Sequence, residues 1–190
     1  MEENWEKFET ETKKQLSTFI KKSSKTTQVA HRTISYVLEN MSFRDFNIMD
    51  TLNIIRQNTN KRETAIAGMM AFLWEFEGSY KIWVDAYCYL LVKNHHDLFF
   101  NRNYVKSLED IRDVSISAKL IFLENHDFKI FKRTNDRKLR NNIAHHNFAV
   151  RDSGIVIIDK QEVDVGSRFR DLIRFKNTVF ETFNRCLGSC

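Results

Sequence analysis

Proline is absent from the 190 residues, and glycine occurs only 5 times. That poverty excludes collagen-like repeats, Pro-rich linkers and turn-dense all-β folds, and it favours helices. The glycines (Gly68, Gly78, Gly154, Gly166 and Gly188) are scattered, so no glycine-rich phosphate loop exists. Cysteine is also scarce: Cys88, Cys186 and Cys190 form an odd, sparse set that does not make a disulfide framework. Cys186 and Cys190 have no further ligand at zinc spacing, and Cys88 reads as a small core residue in an apolar stretch. No metal site is expected. The longest run without charge, Thr64 to Trp74, is too short to span a bilayer. The opening Met1-Glu2-Glu3-Asn4-Trp5 lacks the apolar core of a signal peptide. The expectation is a soluble, cytoplasmic protein with no membrane partner. No His-Glu-x-x-His or Gly-x-Ser-x-Gly pattern occurs.

What is abundant is apolar and aromatic. Hydrophobic residues make up 42% of the chain, with 16 Phe and 3 Trp, enough for a core and against intrinsic disorder. The formal charge is +5. Lys129, Lys132, Arg133, Arg137, Lys138 and Arg140 face a single acid, Asp136, within one twelve-residue stretch. The whole excess sits there, and the rest of the chain balances to zero.

Helical periodicity dominates the order of residues. Trp5, Phe8, Leu16, Phe19 and Ile20 share one face, and Ala30, Ile34, Val37, Leu38 and Met41 share another. A shorter segment carries Ile48, Leu52 and Ile55. The polar run Arg56 to Asn60 separates residues 1–60, an N-terminal helical extension, from a main helical unit over 61–190. From Lys61 to about Phe100, Ile66, Met70, Leu73, Trp74, Trp83, Tyr87, Leu90 and Leu91 are spaced for burial, and Gly78 is placed to break or kink the helix. Ser107 and Asp110 resemble a capped start for a helix carrying Ile111, Val114, Ala118 and Ile121. Another helix runs from about Thr134 to His146. After it, Phe148 to Arg151, a turn at Asp152-Ser153-Gly154, and Ile155 to Ile158 read as a small hairpin, with Val163 and Val165 suited to a third strand. A last helix spans about Ser167 to Leu187, with Phe169, Leu172, Ile173, Phe180 and Phe183 facing inward and Gly188 as its stop.

One segment stands apart, Arg137-Lys138-Leu139-Arg140-Asn141-Asn142-Ile143-Ala144-His145-His146-Asn147. Its helix needs only Leu139 and Ile143 for its buried side. Asn141 and His145 lie one turn apart on one face, and Arg137 lies one turn earlier. Arg140 and His145 are about 140° apart on a regular helix, a poor arrangement for one small ligand. They cooperate only if the helix ends near His145 or if two copies face each other. His31, His126 and the adjacent pair His95-His96 carry no such pattern.

Arg140-Asn141-Asn142-Ile143-Ala144-His145 resembles the Arg-x-x-x-x-His signature of HEPN domains, in its form with Asn after the Arg and Ala before the His. The resemblance extends in layout over roughly Lys61 to Leu187 and leaves the first 55 residues or so outside it. It implies an all-α, HEPN-like helical bundle with a short β-hairpin between the motif helix and the last helix. The implied function is that of a metal-independent endoribonuclease without cofactor, in a toxin–antitoxin or antiviral-defence setting. The RNA 2′-hydroxyl attacks the adjacent phosphate and leaves a 2′,3′-cyclic phosphate and a 5′-hydroxyl. Imidazole at His145 is suited to take or give a proton, and the planar Arg140 fork suits the phosphorane oxygens. Asn141 is placed to orient His145 or to bond the phosphate. The family builds its cleft from one motif on each of two protomers, which answers the angular mismatch.

His146 also fits the looser family spacing, but His145 follows Ala144 and shares a face with Asn141. Where one subgroup carries a Tyr that a partner nucleotidyltransferase modifies, this chain has Asn147, so that form of control is not expected. Lys132, Arg133, Arg137, Lys138 and His146 are the expected RNA-backbone contacts. Phe128 and Phe131 interleave with them as base-stacking or core residues. Two alternatives stand beside the nuclease: a non-catalytic HEPN module binding RNA, nucleotide or a partner protein such as an antitoxin, and a purely structural helical interaction domain whose Phe residues form a docking surface.

Overall fold

The computed structural model describes residues 6, 7, 10, 11, 13–15, 17, 35, 53–57, 59–95 and 108–187. Trp5, Phe8, Leu16, Phe19, Ile20, Ala30, His31, Ile34, Val37, Leu38, Met41, Ile48, Leu52, His96, Ser107, Gly188 and Cys190 lie outside them, as do the side chains of His95, Arg133, Phe183 and Cys186. The described part is mostly helical and carries one small three-stranded antiparallel sheet.

Residues 53–57 are helical, and Asn60 starts the next helix, α1 (Lys61–Glu75). The start is a reciprocal capping box. Asn60 Oδ1 accepts from the Glu63 amide at 2.9 Å, and Glu63 Oε2 accepts from the Asn60 amide at 3.2 Å. Both bonds satisfy amides that a helix start leaves orphaned. Gly78 does not end the helical ladder here. The ladder widens instead into a π turn, Phe76–Tyr80, and resumes as α2 (Lys81–His95). The wider turn adds one residue per cycle, so Phe76, Gly78, Ser79 and Tyr80 are all buried while Glu77 alone stays half-exposed.

The single helix expected around Ile111 and Val114 is two: α3 (Leu108–Arg112) and α4 (Ile116–Asn125). Ser115 caps the second, its Oγ accepting from the Ala118 amide at 3.3 Å. The break resets the helical phase, so Ile111 is fully buried whereas Ile121 is exposed. The helix expected over 134–146 is α6 (Arg137–Ala144), capped by Asp136, and a short helix not expected from the sequence, α5 (Lys129–Arg133), precedes it.

Strands β1 (Ala149–Val150), β2 (Val156–Ile158) and β3 (Gln161–Val163) form a meander in sequence order. Asp159 and Lys160, both at positive φ, form the two-residue connection between β2 and β3. Paired left-handed residues match the strand twist. The last helix, α7 (Val165–Leu187), starts two residues earlier than expected, and Val165 is its first buried residue rather than part of a strand. Phe169 and Leu172 face inward as expected, Ile173 and Phe180 are half-buried, and Phe175 and Val179 complete the buried stripe.

The chain divides into two compact units. Among described residues, the helical unit holds α2 to α5 and residues 175–187 of α7. The mixed unit holds residues 53–80, α6, the sheet and residues 165–174. In the helical unit Tyr87 packs against Phe131 at 5.1 Å and Phe128 at 5.9 Å between ring centroids, and Phe131 meets Phe175 edge-on at 5.3 Å. Here too lies an interior ion pair, Lys119 Nζ to Asp85 Oδ1 at 2.5 Å, both residues buried. Lys119 Nζ donates further to the Arg112 carbonyl at 3.3 Å. Burial pushes the Asp85 carboxyl above its ordinary range, and Lys119 opposes that shift. Burial also raises the neighbouring Cys88 thiol.

In the mixed unit α1 packs on α6 and on β1. Gly154 sits at φ +85°, and a Cβ there would lie 2.8 Å from the Lys61 carbonyl oxygen. This glycine is required twice, by its backbone and by its neighbour. Trp83, Tyr87, Leu90 and Leu91 are buried as the spacing predicts, but Ile66, Met70 and Trp74 are exposed and Leu73 is half-buried. Apolar residues on nearly every side of α1 exceed what one packed face accommodates.

Candidate functional site

The motif helix α6 is short and strongly sided. Leu139 and Ile143, four apart, are its only buried residues, so every polar side chain of the motif is left toward the surface. Asp136 Oδ1 accepts from the Leu139 amide at 3.2 Å, and its other oxygen lies 3.5 Å from Arg168 Nε. The carboxylate thus tethers the start of α6 to the start of α7.

The far end closes in a Schellman motif. The His146 amide donates to the Ile143 carbonyl at 3.1 Å, and the Asn147 amide to the Asn142 carbonyl at 2.8 Å. His146 takes the left-handed position at φ +56°, where glycine is the usual occupant. His145, with φ −98° and ψ 10°, is the capping residue and is exposed. The helix therefore ends at the motif histidine, and the chain direction changes within one residue of it.

Arg140 is half-buried, and two acceptors fix its fork. Nε donates to Glu77 Oε1 in a very short ion pair, and Nη1 donates to Asn141 Oδ1 at 2.9 Å. Among the described residues, Nη2 is not engaged. Asn141 was expected to orient His145 or to bond the phosphate, and its Oδ1 is taken up by Arg140. Its link to His145 runs through the backbone, its carbonyl accepting the His145 amide at 3.0 Å. No hydrogen bond joins the Arg140 and His145 side chains among the described residues.

The expected backbone contacts are distributed over both units. Arg137 and Lys138 are exposed on α6 in the mixed unit, with His146 exposed at its end. Lys138 Nζ pairs with Asp159 Oδ2 at 2.8 Å, and that bond and charge hold the ammonium above the usual lysine range. Lys132, exposed on α5 in the helical unit, pairs with Glu124 at 2.7 Å. The Arg133 side chain lies outside the described residues. Lys132, Lys138 and Arg140 each carry an acidic partner from outside the basic stretch, so its surface field is weaker than the local excess suggests. Phe128 and Phe131 are buried against Tyr87 and are not available to stack bases.

Glu77 escaped the sequence reading because it lies 63 residues from Arg140, beyond any periodic signal. No group of three or more His, Cys, Asp or Glu among the described residues is placed to hold a metal, and no described helix is long and apolar enough to cross a membrane. Comparison with family models, with curated proteins and with solved structures finds no match.

Proposed function

We propose that the chain is a HEPN-type, metal-independent endoribonuclease that works as a homodimer. The observation that carries the reading is a half-exposed arginine held by two acceptors on a helix that ends at an exposed histidine. Preorganised donors aimed at developing phosphate charge, beside a proton-transfer group, are the two requirements of RNA transesterification without a metal. In this mechanism a histidine removes the proton of the 2′-hydroxyl as the oxygen attacks phosphorus. Arg140 Nη2 bonds the phosphorane oxygens. The 5′-oxygen leaves and takes a proton, giving a 2′,3′-cyclic phosphate and a 5′-hydroxyl. Two copies place two Arg140–His145 sets on one cleft, so one imidazole accepts the proton while the other donates. Arg137, Lys132, Arg133, Lys138 and His146 contribute salt-sensitive backbone contacts.

The ion pairs at Lys132 and Lys138 favour a second reading, a non-catalytic HEPN module binding RNA, nucleotide or a partner protein. One assay separates the two. Purified protein is incubated with single-stranded RNA in EDTA, and product ends are identified. The nuclease gives cyclic-phosphate ends, and Arg140→Ala or His145→Ala lowers the rate by about 100-fold or more. Binding without product, or cleavage unchanged in both variants, sinks the nuclease.

A further inference from the structure

We infer that Glu77 is the positioning residue of this site, a carboxylate delivered by the π turn that aims the Arg140 fork at a phosphate. The inference rests on the ribonuclease reading for its substrate, and on the contact itself for its geometry.

Of the five residues in the π turn, Glu77 is the one whose side chain emerges. Such turns interrupt the regular ladder, shift the phase of the side chains they carry, and are frequent at functional sites. Here Glu77 meets Arg140 at Nε, and Asn141 takes Nη1. Two acceptors on different nitrogens fix the guanidinium plane. The amino group left over, Nη2, carries two N–H donors, enough for a two-point bond to a phosphate. Without Glu77 the long side chain samples many rotamers and must be ordered again for each phosphate. Glu77 has no proton role and does not touch the reacting atoms. It acts through Arg140.

The test uses the full chain labelled with 15N, in wild-type form and as Glu77→Ala and Glu77→Gln. In the wild type the Arg140 Nε–H signal, assigned by its loss in Arg140→Ala, is protected from exchange and shifts on titration with inorganic phosphate. Glu77→Ala loses that protection and that response. Its kcat for RNA falls about 10- to 100-fold with KM changed no more than about threefold, as expected for a misaligned transition-state contact. Glu77→Gln, whose amide oxygen still accepts from Nε, recovers most of the lost kcat and of the protection. An Arg140 signal unaltered by Glu77→Ala overturns the inference. So does a lost signal with kcat and phosphate response intact, because the pair is then only structural. Wild-type protein without EDTA-resistant cleavage overturns the nuclease reading alone. The protection and phosphate measurements still decide whether Glu77 positions Arg140.

Discussion

Each compact unit contains one notable ion pair, and the two pairs have opposite characters. Lys119–Asp85 in the helical unit is sealed, with side chains 5% and 9% exposed. Arg140–Glu77 in the mixed unit is open to about a third on both sides, at 29% and 32%. A sealed pair has no solvent to replace a missing partner, so it serves the fold. An open pair is cheap to break and leaves its nitrogen fork accessible, so it is fit to meet a ligand. Asp85 and Glu77 are both invisible to helical periodicity, yet one sits in a core and the other at a surface.

The sharpest way to break this contrast is Lys119→Met. It leaves the Asp85 carboxylate buried and unpaired, with an expected loss of about 3–5 kcal/mol in urea unfolding. The pH dependence has a definite sign. Burial already raises Asp85 in the folded state, and without Lys119 only the lesser attraction of Arg112 and Lys81 opposes it. The folded protein then binds a proton that the unfolded chain releases, so the variant is most stable in acid and weakens as pH rises through the folded-state value. Replacing Asp85 by Leu in the same chain should recover most of the loss.

Gly154→Ala comes next, at about 1–3 kcal/mol, because the added Cβ meets both a positive φ and the Lys61 carbonyl. It asks whether the mixed unit is as intolerant in its backbone as the helical unit is in its ion pair. His146→Gly should raise stability by about 1 kcal/mol, since glycine takes the left-handed position without strain. Smallest is Arg140→Ala, which should change the unfolding free energy by less than about 1 kcal/mol while removing the proposed cleavage. A large loss of stability there would erase the distinction between the two pairs.

Much of the fold is legible in the sequence where the signal is local. Leu139 and Ile143 as the buried pair of the motif helix, the hairpin after it and the long final helix follow from spacing alone. Spacing fails where phase is reset. The gap at Ser115 splits one expected helix, and a π turn takes in Gly78 without ending the helical ladder. It fails again at Ile66, Met70 and Trp74, because side-chain type alone does not say which face of an apolar helix is covered. Arg140, Asn141 and His145 stand out through a six-residue pattern. Of their real connections, Asn141 to Arg140 is local, whereas Arg140 to Glu77 joins chain segments that only folding brings together.

The cap at His146 has a twin. Helix α4 also ends in a Schellman motif, with Asp127 at φ 69° and the Phe128 amide bonded to the Leu123 carbonyl at 2.8 Å. There the residues at the two ends of the motif, Leu123 and Phe128, are both buried apolar side chains, the type that commonly accompanies such a cap. At the motif helix the same two places are Asn142 and Asn147, which have no apolar surface to offer. Matching backbone bonds thus lie among buried apolar side chains in one case and between partly or fully exposed polar ones in the other. Amide exchange should reach Asn147 well before Phe128, and the last turn carrying His145 should fray first.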